Sequence, residues 1–212
     1  MSRWDISTTR HTYDEPAEMD MRGEPIEHLR AWIDAAHAAG SHEPNAMCLC
    51  TASEDCRPSA RMVLLRGLDD RGLIFFTSYF SRKGQELARN PRVAAIFFWP
   101  EIHRQVSVEG AVEQLPEDES DAYFASRPRG HQLGAWASEQ SEEVESRHIL
   151  EQRLEDFTRR FEGSAVPRPH SWGGYLLRAD RFEFWQGRSD RMHDRIELRR
   201  FEGAWMQKRL QP

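Results

Sequence analysis

An α+β fold, a small antiparallel β-barrel with helices at its edges, is what this 212-residue chain predicts. Short segments that alternate apolar and polar residues recur along it, polar turns separate them as in a meander, and a few segments repeat at helical spacing instead. The length suits one domain of roughly 100–200 residues. With 39% apolar residues, 7 Trp and 11 Phe, the chain can fill a core.

The elements follow in order. Residues 1–24 are polar and read as a flexible N-terminal arm, leaving residues 25–212 as a single domain. "PIEHLRAWIDAAHAAG" has Pro25 where a first helical turn tolerates it, Gly40 where helices stop, and an apolar stripe of Ile26, Leu29, Trp32, Ile33 and Ala36. "AMCLCTAS", "SARMVLLRGL" and "LIFFTSYF" read as strands joined by short polar turns. "SRKGQELARN" reads as one short helix, and "RVAAIFFW" and "RQVSVEGAVEQL" resume strand character, with Val106, Val108 and Val112 alternating and Gly110 marking a bulge or bend. Pro116 opens a helix through "EDESDAYFAS", and a longer helix is expected at 142–162, where Leu150, Leu154, Phe157 and Phe161 share a face. "GGYLLRA", "RFEFWQG", "DRIELRRF" and "AWMQKRL" complete the strands.

Charge narrows the function. A net charge of −6 and a pI near 5.9 argue against a general nucleic-acid binder. The N-terminus lacks the apolar core of a signal peptide, and no run approaches the roughly 20 apolar residues of a membrane span, so a cytoplasmic protein is expected. Cys48, Cys50 and Cys56 match no zinc spacing and read as free thiols, with no metal site.

Within this acidic chain four cationic clusters stand out. Ser81 is a good N-cap, yet Arg82 and Lys83 in the first helical turn oppose the helix dipole, an arrangement that a bound phosphate would reverse. Arg61 and Arg66 bracket an apolar strand. Tyr123 and Arg127 share a helix face, and Pro128 ends that helix beside a Gly-containing loop. Arg191, His193 and Arg195 alternate, so on a strand they would point one way, downstream of Trp185. Each cluster alone could be balanced by some of the 35 acidic residues. Together, with no Walker loop, dinucleotide fingerprint or Ser-His-Asp signature, they point to a phosphorylated small ligand held by scattered side chains.

The segments "RMVLLR", "FFTSYFSRKGQEL", "NPRVAAIFFW", "RQVSVEG", "YFASRPRGHQLGAWASEQS", "WGGY", "FEFWQG", "RMHDR" and "RLQP", in this order over about residues 25–212, resemble the pyridoxine/pyridoxamine 5′-phosphate oxidases. The resemblance implies an FMN-binding split β-barrel that forms a homodimer with FMN at the subunit interface. The implied activity is oxidation of pyridoxine or pyridoxamine phosphate to pyridoxal phosphate, with O2 reduced to hydrogen peroxide. It assigns cofactor contacts to Arg61, Arg66, Phe76, Thr77, Arg82, Lys83, Gln105, Gln140, Ser141, Trp185 and Arg195. Substrate contacts fall to Arg66, Tyr123, Arg127, His131, Arg191 and His193, with Arg191 and His193 as the catalytic pair. The chain departs from the family pattern at Arg66, where a lysine is common, at His131, where a serine often contacts the substrate phosphate, and at Phe76, where a tyrosine is frequent. In the arm, "RHTY" keeps only Arg10 and Tyr13 of an Arg-Arg-Glu-Tyr segment. An FMN oxidase of the phenazine-biosynthesis type and a non-catalytic flavin-binding protein are the alternatives.

Overall fold

The computed structural model describes Tyr13 and residues 18–212. The expected arm at 1–24 therefore lies outside the described residues apart from Tyr13 and residues 18–24, and so does Arg10. Two compact units make up the chain: a smaller one of residues up to Pro44, Ile96–Ser107 and Arg181–Pro212, and a larger one of Asn45–Ala95 and Val108–Asp180.

In the smaller unit, α1 (Pro25–Ala38) buries Leu29, Trp32 and Ala36 of the expected stripe, while Ile26 and Ile33 stay half-buried. The backbone N–H of Gly40, at φ +88°, donates to His37 and that of Ser41 to Ala36, which caps the last carbonyls as the glycine's left-handed backbone allows. Trp32 meets Phe184 edge-on at 5.2 Å. Phe184 belongs to the end of β7 (Trp172–Gln186), which pairs antiparallel with β8 (Asp194–Phe201), and β8 pairs with β9 (Ala204–Leu210). Phe182, Phe184, Ile196 and Leu198 are buried on one face of this ribbon, as period-two alternation requires.

The larger unit is built on β1 (Ala46–Ala52), β2 (Pro58–Leu64), β3 (Gly67–Asp69), β4 (Gly72–Ser78), the first part of β5 (Arg92–Trp99), the later part of β6 (Arg104–Gln114) and the first part of β7, ordered β2-β1-β5-β6-β7-β4-β3. Four helices accompany them: α2 (Arg82–Arg89), α3 (Glu117–Ser126), α4 (Arg129–Ala137) and α5 (Arg147–Arg160). Met47, Leu49, Leu73, Phe75, Val108 and Leu177 are fully buried in its core. A Cβ at Gly110 would lie 2.1 Å from the carbonyl oxygen of Arg178, so the glycine permits a close strand approach, and β6 runs through it unbroken.

Four boundaries differ from the sequence reading. The strand expected over "SARMVLLRGL" ends at Leu64 and restarts at Gly67, because Leu65 N–H bonds to Asn45 and Arg66 N–H to Ile74, so the chain changes partners there. "GGYLLRA" and "RFEFWQG" form one 15-residue strand whose first half pairs with β4 and second half with β8. The loop expected after Pro128 is α4: the proline precedes its first turn, and Gln132 Nε2 ties it back to the carbonyls of Phe124 and Ala125. The helix expected at 142–162 shortens to 147–160, where Phe157 stacks on Phe161 at the helix end while Leu154 stays exposed. No helix among the described residues is long and apolar enough to cross a membrane. The three cysteines are free, and no group of three metal-ligating side chains occurs among the described residues.

Candidate functional site

A cleft of about 1220 Å³ opens in the larger unit. Eleven residues singled out from the sequence line it: Arg61, Arg66, Phe76, Thr77, Arg82, Lys83, Tyr123, Arg127, His131, Gln140 and Ser141. They come from β2, the turn after it, β4, α2, α3, α4 and the segment after α4.

At one end stands the start of α2. The Ser81 hydroxyl accepts from Gly84 N–H at 3.3 Å, the expected cap, and donates to the Ser78 carbonyl. Lys83 is only 6% exposed and its Nζ reaches two hydroxyls, Thr77 Oγ1 at 3.0 Å and Ser81 Oγ at 3.3 Å. Burial, reinforced by the charge of Arg61, lowers its pKa to about 8. Thr77 in turn donates to Gln140 Oε1.

Behind this turn lies a residue the sequence reading did not single out, Glu86. Its buried carboxylate accepts from Thr51 (2.5 Å), Ser59 (2.7 Å), Arg82 Nε (2.9 Å) and Arg61 Nη2 (3.3 Å). Burial alone would raise its pKa, but the hydrogen bonds from Thr51, Ser59 and Arg82 and the charge of Arg61 hold it at about 2. The only signal in the sequence was its place four residues after Arg82.

At the other end Arg127 stacks its guanidinium 4.5 Å from the Trp172 ring centroid and 5.5 Å from that of Phe124. Its Nη1 is buried and has no hydrogen-bond partner among the described residues, and burial lowers its pKa. Tyr123, Phe76 and Trp172 lie nearly parallel, with Phe76 3.8 Å from Tyr123 and 5.4 Å from Trp172. Trp172, also missed from sequence, is fixed by Arg168, whose Nη1 donates to its carbonyl and whose Nε pairs with Asp121. His131, in the first turn of α4, and Arg66 reach the cleft from exposed positions, with no ion-pair partner among the described residues.

Gln105, Trp185, Arg191, His193 and Arg195 lie in the smaller unit. The expected three-residue stripe does not form on one strand. Ser189–Arg191 is a tight helical turn with Asp190 at φ 52° and Arg191 at φ 61°, and β8 begins only at Asp194. Arg195 sits across from Trp185 in the β7–β8 ladder and pairs with Glu183 at 2.7 Å, while its Nη1 donates to the Gln211 carbonyl. His193 Nδ1 accepts from Arg188 N–H at 3.1 Å, which leaves Nε2 as the proton-bearing nitrogen. Burial, then the neighbouring charge of Arg191, lowers the His193 pKa. The imidazole packs against Trp185 at 4.7 Å and Tyr13 at 5.8 Å. Among the described residues no carboxylate pairs with Arg191.

Two family models match the chain: pyridoxamine 5′-phosphate oxidase over residues 33–160, and the pyridoxine 5′-phosphate oxidase C-terminal dimerisation region over residues 172–212. A pyridoxine/pyridoxamine 5′-phosphate oxidase of Rubrobacter xylanophilus is 53% identical, covering 100% of this chain and 98% of the relative. One from Acaryochloris marina is 47% identical over 98% and 95%. Among solved structures, PhzG from Burkholderia lata 383, in complex with tetrahydrophenazine-1-carboxylic acid, superposes with a TM-score of 0.85 at 35% identity, covering 89% of this chain and 93% of that one. An FMN-binding protein from Nostoc punctiforme, related to pyridoxamine 5′-phosphate oxidase, has a TM-score of 0.72 at 15% identity, with coverage of 91% and 100%, and shows the same split-barrel fold.

Proposed function

Because the chain belongs to the pyridoxine/pyridoxamine 5′-phosphate oxidase family, we propose that it oxidises pyridoxamine and pyridoxine 5′-phosphates to pyridoxal 5′-phosphate, with O2 as electron acceptor and H2O2 as second product. The chain is an oxidoreductase and FMN is its cofactor. The observation that carries the substrate assignment is a pair of cations in one cleft that have no carboxylate bonded to them among the described residues: buried Lys83, which bonds to hydroxyls, and Arg127, whose buried Nη1 finds no partner there. Each suits a phosphate, one on the flavin and one on the substrate.

The residues fit FMN, since the start of α2 offers helix N–H groups, the Ser81 hydroxyl and the cations Arg61, Arg82 and Lys83 together. FMN, when bound, supplies the two-electron acceptor for a hydride leaving C4′ of the substrate and passes the electrons to O2. Arg127, with Tyr123, His131 and Arg66, holds the substrate phosphate, and the packed Trp172 fixes the guanidinium so that little freedom is lost on binding. Arg191 stabilises charge developing on the substrate ring. His193, its Nδ1 already occupied, offers Nε2 to a polar substituent of the substrate. Gln105, Gln140, Ser141, Trp185 and Arg195 complete the proposed flavin contacts, with Phe76 lining the cleft. The matched dimerisation region supports a homodimer, and the free thiols suit a cytoplasmic setting.

The test is anaerobic absorbance of the FMN-loaded protein while pyridoxamine 5′-phosphate is added. Bleaching, reversed by air with pyridoxal phosphate and peroxide appearing, is the expected result. A flavin that binds but does not bleach would overturn the substrate assignment. It would favour the phenazine-type reading, which the PhzG similarity supports.

A further inference from the structure

Of the three cations around the start of α2, Arg61 and Arg82 share one carboxylate. Glu86 Oε1 takes Arg82 Nε, and Oε2 takes Arg61 Nη2 together with the hydroxyls of Thr51 and Ser59, which themselves accept from Arg61. Lys83, three positions before Glu86, rests on the hydroxyls of Thr77 and Ser81. A buried carboxylate beside a phosphate site is a puzzle, because it repels the ligand the site is built for. It makes sense as a balance for the protein without ligand: three clustered cations with no anion would repel one another in a half-buried pocket, whereas with Glu86 two positive charges remain in excess, the charge that a phosphate monoester dianion neutralises.

We propose that Glu86 is an internal counter-anion, a positioning residue that keeps the phosphate-binding cations together while the phosphate is absent, at the expense of some affinity when it is present. This rests on the flavin phosphate lying at the start of α2. Removing the charge while keeping the shape, as in Glu86→Gln, should therefore destabilise the free protein and strengthen FMN binding, and leave riboflavin, which lacks the phosphate, unaffected.

The experiment is thermal unfolding of the full chain, stripped of flavin and then reloaded with FMN or with riboflavin. Glu86→Gln should lower the flavin-free midpoint by about 5 °C or more. The FMN-induced rise should exceed that of the unaltered protein by about 3 °C or more, with the riboflavin-induced rise unchanged. The double variant Arg82→Gln/Glu86→Gln, which restores the charge balance, should recover most of the lost flavin-free stability. An unchanged flavin-free midpoint, equal changes with both flavins, FMN binding selectively weakened, or no recovery in the double variant would each overturn the counter-anion role. If the unaltered protein gains no more from FMN than from riboflavin, the placement of the flavin phosphate itself fails, a result distinct from all of these.

Discussion

In the larger unit Lys83 and Arg127 are held by hydroxyls and aromatic faces, with no carboxylate of their own among the described residues. In the smaller unit the arginines meet acids directly: Arg195 pairs with Glu183 at 2.7 Å, Arg181 with Glu183 and Glu197, and Arg188 with Asp194, which also receives Arg209. The arginines of this ladder are thus neutralised, while the two cations of the cleft are left available. What decides between them is strand register. In the β7–β8 ladder Glu183 stands opposite Glu197, which brings Arg181 and Arg195 into diagonal reach of a carboxylate. A free cation in a protein of net charge −6 is therefore informative only once its neighbours across the sheet are known. In the smaller unit Arg191 is an exception, lifted off the ladder by its turn and without a carboxylate partner among the described residues.

That exception gives the largest expected effect. Arg191→Met should lower turnover by about 10²- to 10³-fold, the range for losing one charge-stabilising group. FMN content, read from flavin absorbance, should stay near that of the unaltered enzyme. Equal losses of turnover and flavin would place Arg191 with the structural arginines instead. Glu183→Gln tests the neutralised group. It breaks the ion pairs of Arg181 and Arg195 at a side chain 12% exposed. Unfolding in denaturant should show a loss of about 3 kcal/mol, as when one partner of a buried pair is removed. A loss below about 0.5 kcal/mol, the size of an ordinary surface change, would mean that these arginines are not held by Glu183.

Strand and helix identities were legible wherever one period dominated. Val106, Val108 and Val112 are buried as alternation required, and Leu29, Trp32 and Ala36 as a helical stripe required. Where the chain changes partners the pattern carried no mark: Leu65 and Arg66 read as strand, yet their N–H groups turn from β1 to β4. The glycines of "RPRGHQLGAW" masked α4, which tertiary contacts of Leu133 and Gln132 stabilise against weak propensity. In the cleft, eleven expected residues came together because they were chosen by family resemblance as well as by charge. Glu86 and Trp172 escaped because their roles depend on contacts with residues 25 or more positions away, Arg61 and Arg127.

The remaining predictions concern the available cations. Arg127→Met keeps bulk over Trp172 but removes the charge, and should raise KM for the phosphorylated substrate about 10- to 100-fold, the worth of one charge-assisted hydrogen bond. FMN affinity should not change. If FMN affinity falls in step, Arg127 serves the cofactor and the division of the cleft into two phosphate ends is wrong.

The smallest effect, and the most direct probe of an unbalanced cation, is the pH dependence of FMN binding set by Lys83. In the free protein its pKa is lowered from 10.5 to about 8 by burial and by Arg61, against the opposing pull of Glu86. A phosphate beside it favours the charged form and raises the pKa again. Below about pH 8 the ammonium is present in both states, so affinity should not depend on this group. Above it the free protein has lost the proton that the complex retains, so binding takes up a proton and affinity falls, by at most about tenfold per pH unit. Riboflavin should show no such fall. Calorimetry in two buffers of different ionisation enthalpy reads the same proton directly. Proton uptake with FMN near pH 8.5 and none with riboflavin is the expected outcome, whereas equal uptake with both would place the titrating group away from the phosphate and remove Lys83 from the anion site.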